Sequence, residues 1–250
     1  MMQETTHAVP VSLESVGNAP SVSIVIPVYN EEENIADLVQ RVGDAIGATG
    51  RSFELICVDD GSRDGSAAML AELAATREWL RPLYLIRNYG QSAALQAGFD
   101  AARGDIIVTL DGDLQNDPVD IPRLLDLLDE RPDVDVISGW RKDRQDRTVS
   151  RKIPSLIANR IISRVTGVRL HDYGCALKLY RAQVIHDLKL YGELHRFIPA
   201  LAAEVGAQVR QQFRAAPFAD FTGRRADVGH HRPEHPPRPR RSGRSRSGNW

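Results

Sequence analysis

With only two cysteines in 250 residues, Cys57 and Cys175, the chain has no disulfide framework, and neither a CxxC pair nor a Cys/His cluster offers a zinc site. That usage suits a reducing compartment. No run of 18 apolar residues occurs, so no segment reads as a transmembrane helix. Residues 1–20 lack the basic start and apolar centre of a secretory signal. A Walker A loop, a G-x-G-x-x-G fingerprint and a G-x-S-x-G elbow are all missing. A phosphate-bearing ligand would therefore be held by a metal ion and arginines rather than by a glycine loop. Excess charge is missing too. The formal net charge of -1 argues against a general nucleic-acid binder.

What is present is enough apolar residue for a core: 42% hydrophobic against 26% charged, which excludes global disorder. The near-zero charge hides an asymmetry. Residues 221–250 hold eight Arg against Asp227 and Glu234, a net +6, so residues 1–220 carry -7. An acidic body precedes a basic Arg/Pro/Gly/Ser/His-rich tail, which is expected to be disordered.

Periodicity divides the body. Residues 1–20 are polar and aperiodic and read as a flexible lead-in to a domain spanning 21–220. Short β-branched runs at 21–28, 53–58, 82–86, 105–110 and 134–138 predict buried strands. Helical patterns at 31–46, 64–77, 91–102 and 118–129 alternate with them. Strands alternating with helices mean βαβ units: an α/β fold with a mostly parallel sheet covered on both faces. Ligands of such sheets sit beyond the carboxyl ends of the strands. The polar motifs of this chain follow the apolar runs: Pro27-Val28-Tyr29-Asn30-Glu31, Asp59-Asp60-Gly61-Ser62, Arg87-Asn88-Tyr89-Gly90 and Asp111-Gly112-Asp113.

Each motif has a plain reading beside a functional one. Asp111 and Asp113 can meet one hard cation, with Gln115 adding a neutral oxygen, or they can be solvated acids of a turn. Asp59 or Asp60 can accept from a nucleobase or ribose hydroxyl, whereas Ser62 or Asp64 can simply cap the next helix. Asn88 can cap the helix from Gln91, and Arg87 can reach an anion. From Arg141 basic residues crowd, and a basic amphipathic helix is predicted over 147–165 with Ile153, Leu156, Ile157, Ile161 and Val165 on one face. It either packs on the sheet or lies on a membrane with its cations toward phosphate.

Taken in order, these motifs resemble the signature of the inverting family-two glycosyltransferases with the GT-A (Rossmann-like) fold. Within them, they resemble the polyprenyl-phosphate glycosyltransferases, namely dolichol-phosphate mannosyltransferase and its bacterial undecaprenyl-phosphate relatives. Val58 to Ser66, Leu110 to Gln115, Thr166-Gly167, His171 to Cys175 and Tyr191 to Pro199 carry the similarity, which covers residues 21–209. The chain departs from the usual pattern with Asp-Gly-Asp for Asp-Ala-Asp and with Asn116-Asp117-Pro118 for Asp-Pro-Pro. Neither change removes a ligand.

The resemblance implies roles. Pro27, Tyr29, Glu31, Asn88 and Gly112 would hold the nucleotide-sugar, with Asp59 or Asp60 on the base or ribose. Asp111 would touch the donor near ribose and metal, and Asp113 and Gln115 would bind Mg²⁺ or Mn²⁺. Arg141 and Arg151 would face phosphate, with Ser155 and Asn159 beside them. Asp172 would lie near the sugar or acceptor, and Asp111, Asp113, Asp172 and Arg151 would form the catalytic set. His195 is either an acceptor contact or a polar helix-face residue. Pro239-Arg240-Arg241-Ser242-Gly243 echoes a family motif and brings Arg240 to the acceptor phosphate. Its late position raises the expectation of a truncated gene or a frame change within 210–235. The bacterial family continues into C-terminal transmembrane helices that these 250 residues do not contain.

The implied partners are a UDP- or GDP-linked sugar, a polyprenyl phosphate and an anionic membrane surface. The implied location is the cytoplasmic face of the cell membrane, with peripheral attachment. Self-association is compatible with this reading, and nucleic acid is not a partner. Two alternatives stay open: a family-two transferase with a polysaccharide or soluble acceptor, and an inactive sugar-nucleotide-binding homologue.

Overall fold

The computed structural model describes residues 19–140, 173–186 and 188–214, all within one unit, Met1–Ala219. The 147–165 segment, Arg141, Arg151, Ser155, Asn159, Asp172, the tail with Arg240 and most of the lead-in lie outside the described residues.

The apolar runs become strands because both faces of the sheet are covered. β1 (Val22–Val28) buries every residue but Pro27, and β2 (Phe53–Asp59) every residue but Phe53. β3 (Leu80–Tyr84), β4 (Ile106–Thr109), β5 (Val136–Trp140), β6 (Lys178–Arg181) and β7 (Val209–Arg214) complete one sheet in the order β3-β2-β1-β4-β6-β5-β7. β1 pairs in parallel with β2 and β4, and β2 pairs in parallel with β3. β6 enters antiparallel between β4 and β5, and β5 pairs in parallel with β7. The sheet is mostly parallel, as expected, but mixed.

Alternate residues of each strand feed opposite cores. Ile24 and Ile26 of β1 join a cluster under α1 (Glu32–Gly47), α2 (Ser66–Ala74) and α4 (Ile121–Glu130). Val25 joins a second cluster under α3 (Gln91–Ala101), α5 (Ala182–His186) and α6 (Ile198–Glu204). Helices thus cover both faces. The α4 stripe Ile121, Leu124, Leu125, Leu128 is fully buried at helical spacing. Each such side chain contributes about 1.5–3 kcal/mol. α3 settles directly on β1 because Gly98 has no side chain: a Cβ there would lie 2.2 Å from Val25 Cγ1.

Three elements differ from the sequence expectation. The third strand ends at Tyr84 rather than Ile86, because Leu80–Tyr84 pairs residue for residue with Leu55–Asp59. Pro82 is tolerated because β3 is an edge strand, and Ile86, beyond the ladder, is 91% exposed. β6 was not foreseen. Neither was β7, a polar edge strand whose local pattern is weak and whose pairing comes from β5.

The direction of the chain across the sheet reverses at β1. Strands β2 and β3 build to one side of it and β4 to the other. The crevice beyond the carboxyl ends of β1 and β4 is therefore the topological switch point, where ligands of open α/β sheets bind.

Candidate functional site

The loops after β1 and β2 are tied to each other. Asn30, in the left-handed region at φ 57°, donates its amide to Ser62 Oγ at 2.9 Å and accepts the Arg63 amide on Oδ1 at 2.8 Å. The Glu31 amide donates to Ser66 Oγ at 2.9 Å, and the Gly65 amide donates to the Glu32 carboxylate. Asp64 Oδ1 accepts the Ser66 amide at 3.0 Å just ahead of α2, whose N-cap is Gly65 rather than Ser62 or Asp64. Ser62 instead serves the neighbouring loop.

Asp59 and Asp60 are both buried. Asp59 Oδ1 accepts the Ser62 amide at 3.2 Å. Asp60 accepts the Tyr89 amide on one oxygen at 2.7 Å and the Gly90 amide on the other at 2.8 Å. Its carboxylate thereby fastens the third loop to the second. Gly61, at φ 68°, lets the two loops touch: a Cβ there would lie 2.5 Å from the Arg87 carbonyl carbon. Arg87 stacks 4.8 Å above the Tyr89 ring.

After β4, Asp111 Oδ1 accepts from Gln91 Nε2 at 2.8 Å. Asp113 Oδ1 accepts the Gln115 amide at 3.0 Å, and Leu114 between them is left-handed at φ 57°. That conformation is costly for a bulky residue and persists only where the surrounding structure holds it. Asp117 Oδ1 takes the Val119 amide at 3.1 Å, so this acid starts the next helical turn.

These loops enclose a cleft of about 330 Å³. Pro27, Tyr29, Glu31, Asp60, Asn88, Asp111, Gly112 and Asp113 line it, with Val28 and Gly90 of the same motifs and with Gln91, which the sequence reading did not place in the site. Gln91 had a signal, a polar residue opening an Ala-rich helix. Asp59, Gln115, Ser92 and His195 are not in its lining. Four lining residues are carboxylates and, among the described residues, none is Lys or Arg. A polyphosphate would be repelled here unless a cation came with it. Asp113 with the amide oxygen of Gln115 is a hard-oxygen donor set suited to Mg²⁺ or Mn²⁺, whose remaining positions substrate phosphates fill. No group of three or more His, Cys, Asp or Glu able to cage a metal occurs among the described residues. As hard-oxygen donors, the carboxylates of the lining suit such a cation.

Elsewhere, burial pushes the Cys57 thiol up to about 12, so it is no nucleophile. At the far end of the strands the Glu54 carboxyl is buried, which alone would raise its pKa. Hydrogen bonds from Ser23, Arg103 and Arg81 outweigh burial and hold it below its ordinary value.

An acidic cleft at the switch point of a mostly parallel α/β sheet is where such a fold binds its ligands. The chain belongs to glycosyl transferase family 2, whose model matches residues 23–189. It is 52% identical over 185 residues to dodecaprenyl-phosphate galacturonate synthase of Rhizobium johnstonii, covering 73% of this chain and 54% of the relative. It is 45% identical over 183 residues to undecaprenyl-phosphate 4-deoxy-4-formamido-L-arabinose transferase of Pseudomonas paraeruginosa, covering 72% and 53%. The chain spans about half the length of these curated relatives. Among solved structures, the mannosyltransferase PcManGT of Pyrobaculum calidifontis, in complex with GDP-Man and Mn²⁺, superposes with TM-score 0.58 at 17% identity, covering 82% of this chain and 59% of that one. Glucosyl-3-phosphoglycerate synthase of Mycobacterium tuberculosis, with Mn²⁺ and UDP-Glc, gives TM-score 0.55 at 21% identity, covering 79% and 71%.

Proposed function

We propose that the chain is an inverting, metal-dependent glycosyltransferase that moves a sugar from a nucleotide-sugar to a polyprenyl phosphate. The observation that carries this reading is the convergence of four separate loop motifs on one acidic cleft. The names of the two relatives given above support the acceptor class. Pro27, Tyr29, Glu31, Asn88 and Gly112 would hold the nucleoside and sugar, with Asp59 and Asp60 setting the loops around them. Asp113 and Gln115 would hold the ion. When bound, that ion would neutralise charge on the departing diphosphate.

The acceptor is a phosphate monoester with second pKa near ~6, largely ionised at pH 7. It attacks the anomeric carbon from the side opposite the diphosphate and inverts it. An ionised nucleophile needs no strong general base, so catalysis rests on alignment and charge stabilisation. Asp111, tied to Gln91, would orient the donor, and Asp172 would lie near the transferred sugar. Arg141, Arg151, Ser155, His195 and Arg240 would receive the acceptor phosphate. The basic 147–165 segment would lie on the cytoplasmic face of the membrane as a peripheral contact with anionic lipid.

The test is transfer of radiolabel from UDP- and GDP-sugars to organic-extractable lipid with Mn²⁺ present. Label in extractable lipid supports the proposal. Label in soluble or polysaccharide product, or donor binding without transfer, would overturn the lipid acceptor.

A further inference from the structure

Three consecutive residues at the start of α3 reach three different elements. The Gly90 amide donates to Asp60, Gln91 Nε2 donates to Asp111, and Ser92 Oγ lies 2.8 Å from His195 Nδ1. The His195 amide also donates to Ser92 Oγ at 3.2 Å. Ser92 Oγ thus holds both the backbone and the ring of His195; where the serine donates to Nδ1, the imidazole carries its own proton on Nε2.

His195 sits on the short 3-10 turn Leu194–Phe197, which packs against α3. The charged groups facing it are Glu193 and Arg196 from its own segment and Lys178 from β6. Burial comes first, opposed by Glu193 and aided by Arg196 and Lys178, in holding the imidazole below the usual histidine range. Lys178 is itself buried, donates its ammonium to the Cys175 carbonyl, and pairs with Thr109, two residues before Asp111. The half-buried imidazole is a neutral hydrogen-bond donor tied through Ser92 to the residue next to Gln91 in the lining of the acidic cleft.

We infer that Ser92 is a positioning residue that donates to Nδ1 and so locks His195 to present Nε2–H to the phosphate of the acceptor. The inference rests on the transferase reading and deepens it by separating two anion sites. The donor diphosphate goes to the cleft with its cation, and the acceptor monoester goes to the Ser92–His195 flank without one.

The experiment uses the full chain, Ser92→Ala, Ser92→Thr and His195→Gln. Donor affinity is measured by calorimetry with UDP- and GDP-sugars and Mn²⁺, and transfer kinetics are measured with a short-chain polyprenyl phosphate. Imidazole ¹⁵N spectra are recorded with and without farnesyl phosphate, and with inorganic phosphate as the comparison. Ser92→Ala and His195→Gln should each raise the acceptor KM about tenfold, the scale of one net hydrogen bond, with donor affinity held within about twofold. Ser92→Thr keeps the hydroxyl and should restore the KM. In the wild type the His195 signal should be that of the Nε2–H tautomer and should shift with farnesyl phosphate. Ser92→Ala should give mixed tautomers and a weaker shift. A like response to inorganic phosphate would assign recognition to the headgroup, and a response to farnesyl phosphate alone would add the chain.

Parallel loss of donor affinity in Ser92→Ala would put the pair in the donor cleft and overturn the inference. So would an unchanged acceptor KM, or a wild-type His195 signal indifferent to both phosphates. A shift with no transfer to lipid would instead sink the transferase reading and leave the phosphate contact standing.

Discussion

The two ends of the sheet are built differently. Residues 22–140 form a run of parallel strands, each followed by a polar loop, and those loops bond to one another: Asn30 to Ser62, Glu31 to Ser66, Asp60 to Tyr89 and Gly90. Residues 173–214 contribute an antiparallel strand, two short helices and a polar edge strand. Their attachment relies on contacts far apart in sequence, such as Thr109 Oγ1 donating to the Ala176 carbonyl and the Ser92–His195 pair. In the first region the backbone geometry of parallel strands converges the motifs automatically. In the second, individual side chains must make the connection. The donor side should therefore tolerate change in the second region, and the acceptor side should not.

The largest expected effect is on the first region alone. Asp113→Ala should lower metal-dependent donor binding and turnover by at least ~100-fold, about 2.7 kcal/mol, with an unchanged thermal midpoint, because a cleft carboxylate supports a cation rather than packing. Calorimetry with and without Mn²⁺ checks it. Normal turnover at saturating metal would remove the assignment.

Next in size is the far end of the same strands. Glu54→Ala leaves Arg81 and Arg103 without their shared buried carboxylate and should destabilise the fold by about 2 kcal/mol in urea titrations at pH 7. The Glu54 pKa is lowered in the fold, so its contribution is present above the unfolded value of ~4.3 and is lost as pH falls through the folded value. The gap between wild type and Glu54→Gln should close at low pH. A gap that persisted there would show that packing, not charge, is at stake.

A smaller effect sharpens the contrast between loops. Asn at position 60 would keep one acceptor oxygen and turn an amide toward Tyr89 or Gly90. Asp60→Asn should weaken nucleotide-sugar binding about tenfold while leaving the His195 tautomer unchanged. Joint loss of both would mean that the α3 start transmits strain between the two sites.

The smallest effect concerns the basic segments. Basic residues near an anionic surface contribute about 1 kcal/mol each and are screened by salt. Vesicle co-sedimentation should fall with salt and should fall further when residues 221–250, net +6, are deleted. Binding indifferent to lipid charge and salt would discard the electrostatic account.

How much could be read in advance follows from the same division. The runs at 21–28, 53–58 and 105–110 announce buried parallel strands because both faces of such strands must be apolar, and the polar motifs after them announce a site at their carboxyl ends. Pro27, Tyr29, Glu31, Asp60, Asn88, Asp111, Gly112 and Asp113 were all legible this way, and all line one cleft. Local pattern and local spacing determined this much. Tertiary structure alone decided that Lys178 would be buried beside Thr109 on a strand running against its neighbours. It also decided that Val209–Arg214 would pair with β5 despite a polar sequence, and that Ser92 would meet His195 across 103 residues. The reason is that a ladder partner or a hydrogen bond at that separation leaves no periodicity in either segment, since its stabilisation exists only once the sheet has brought the two together.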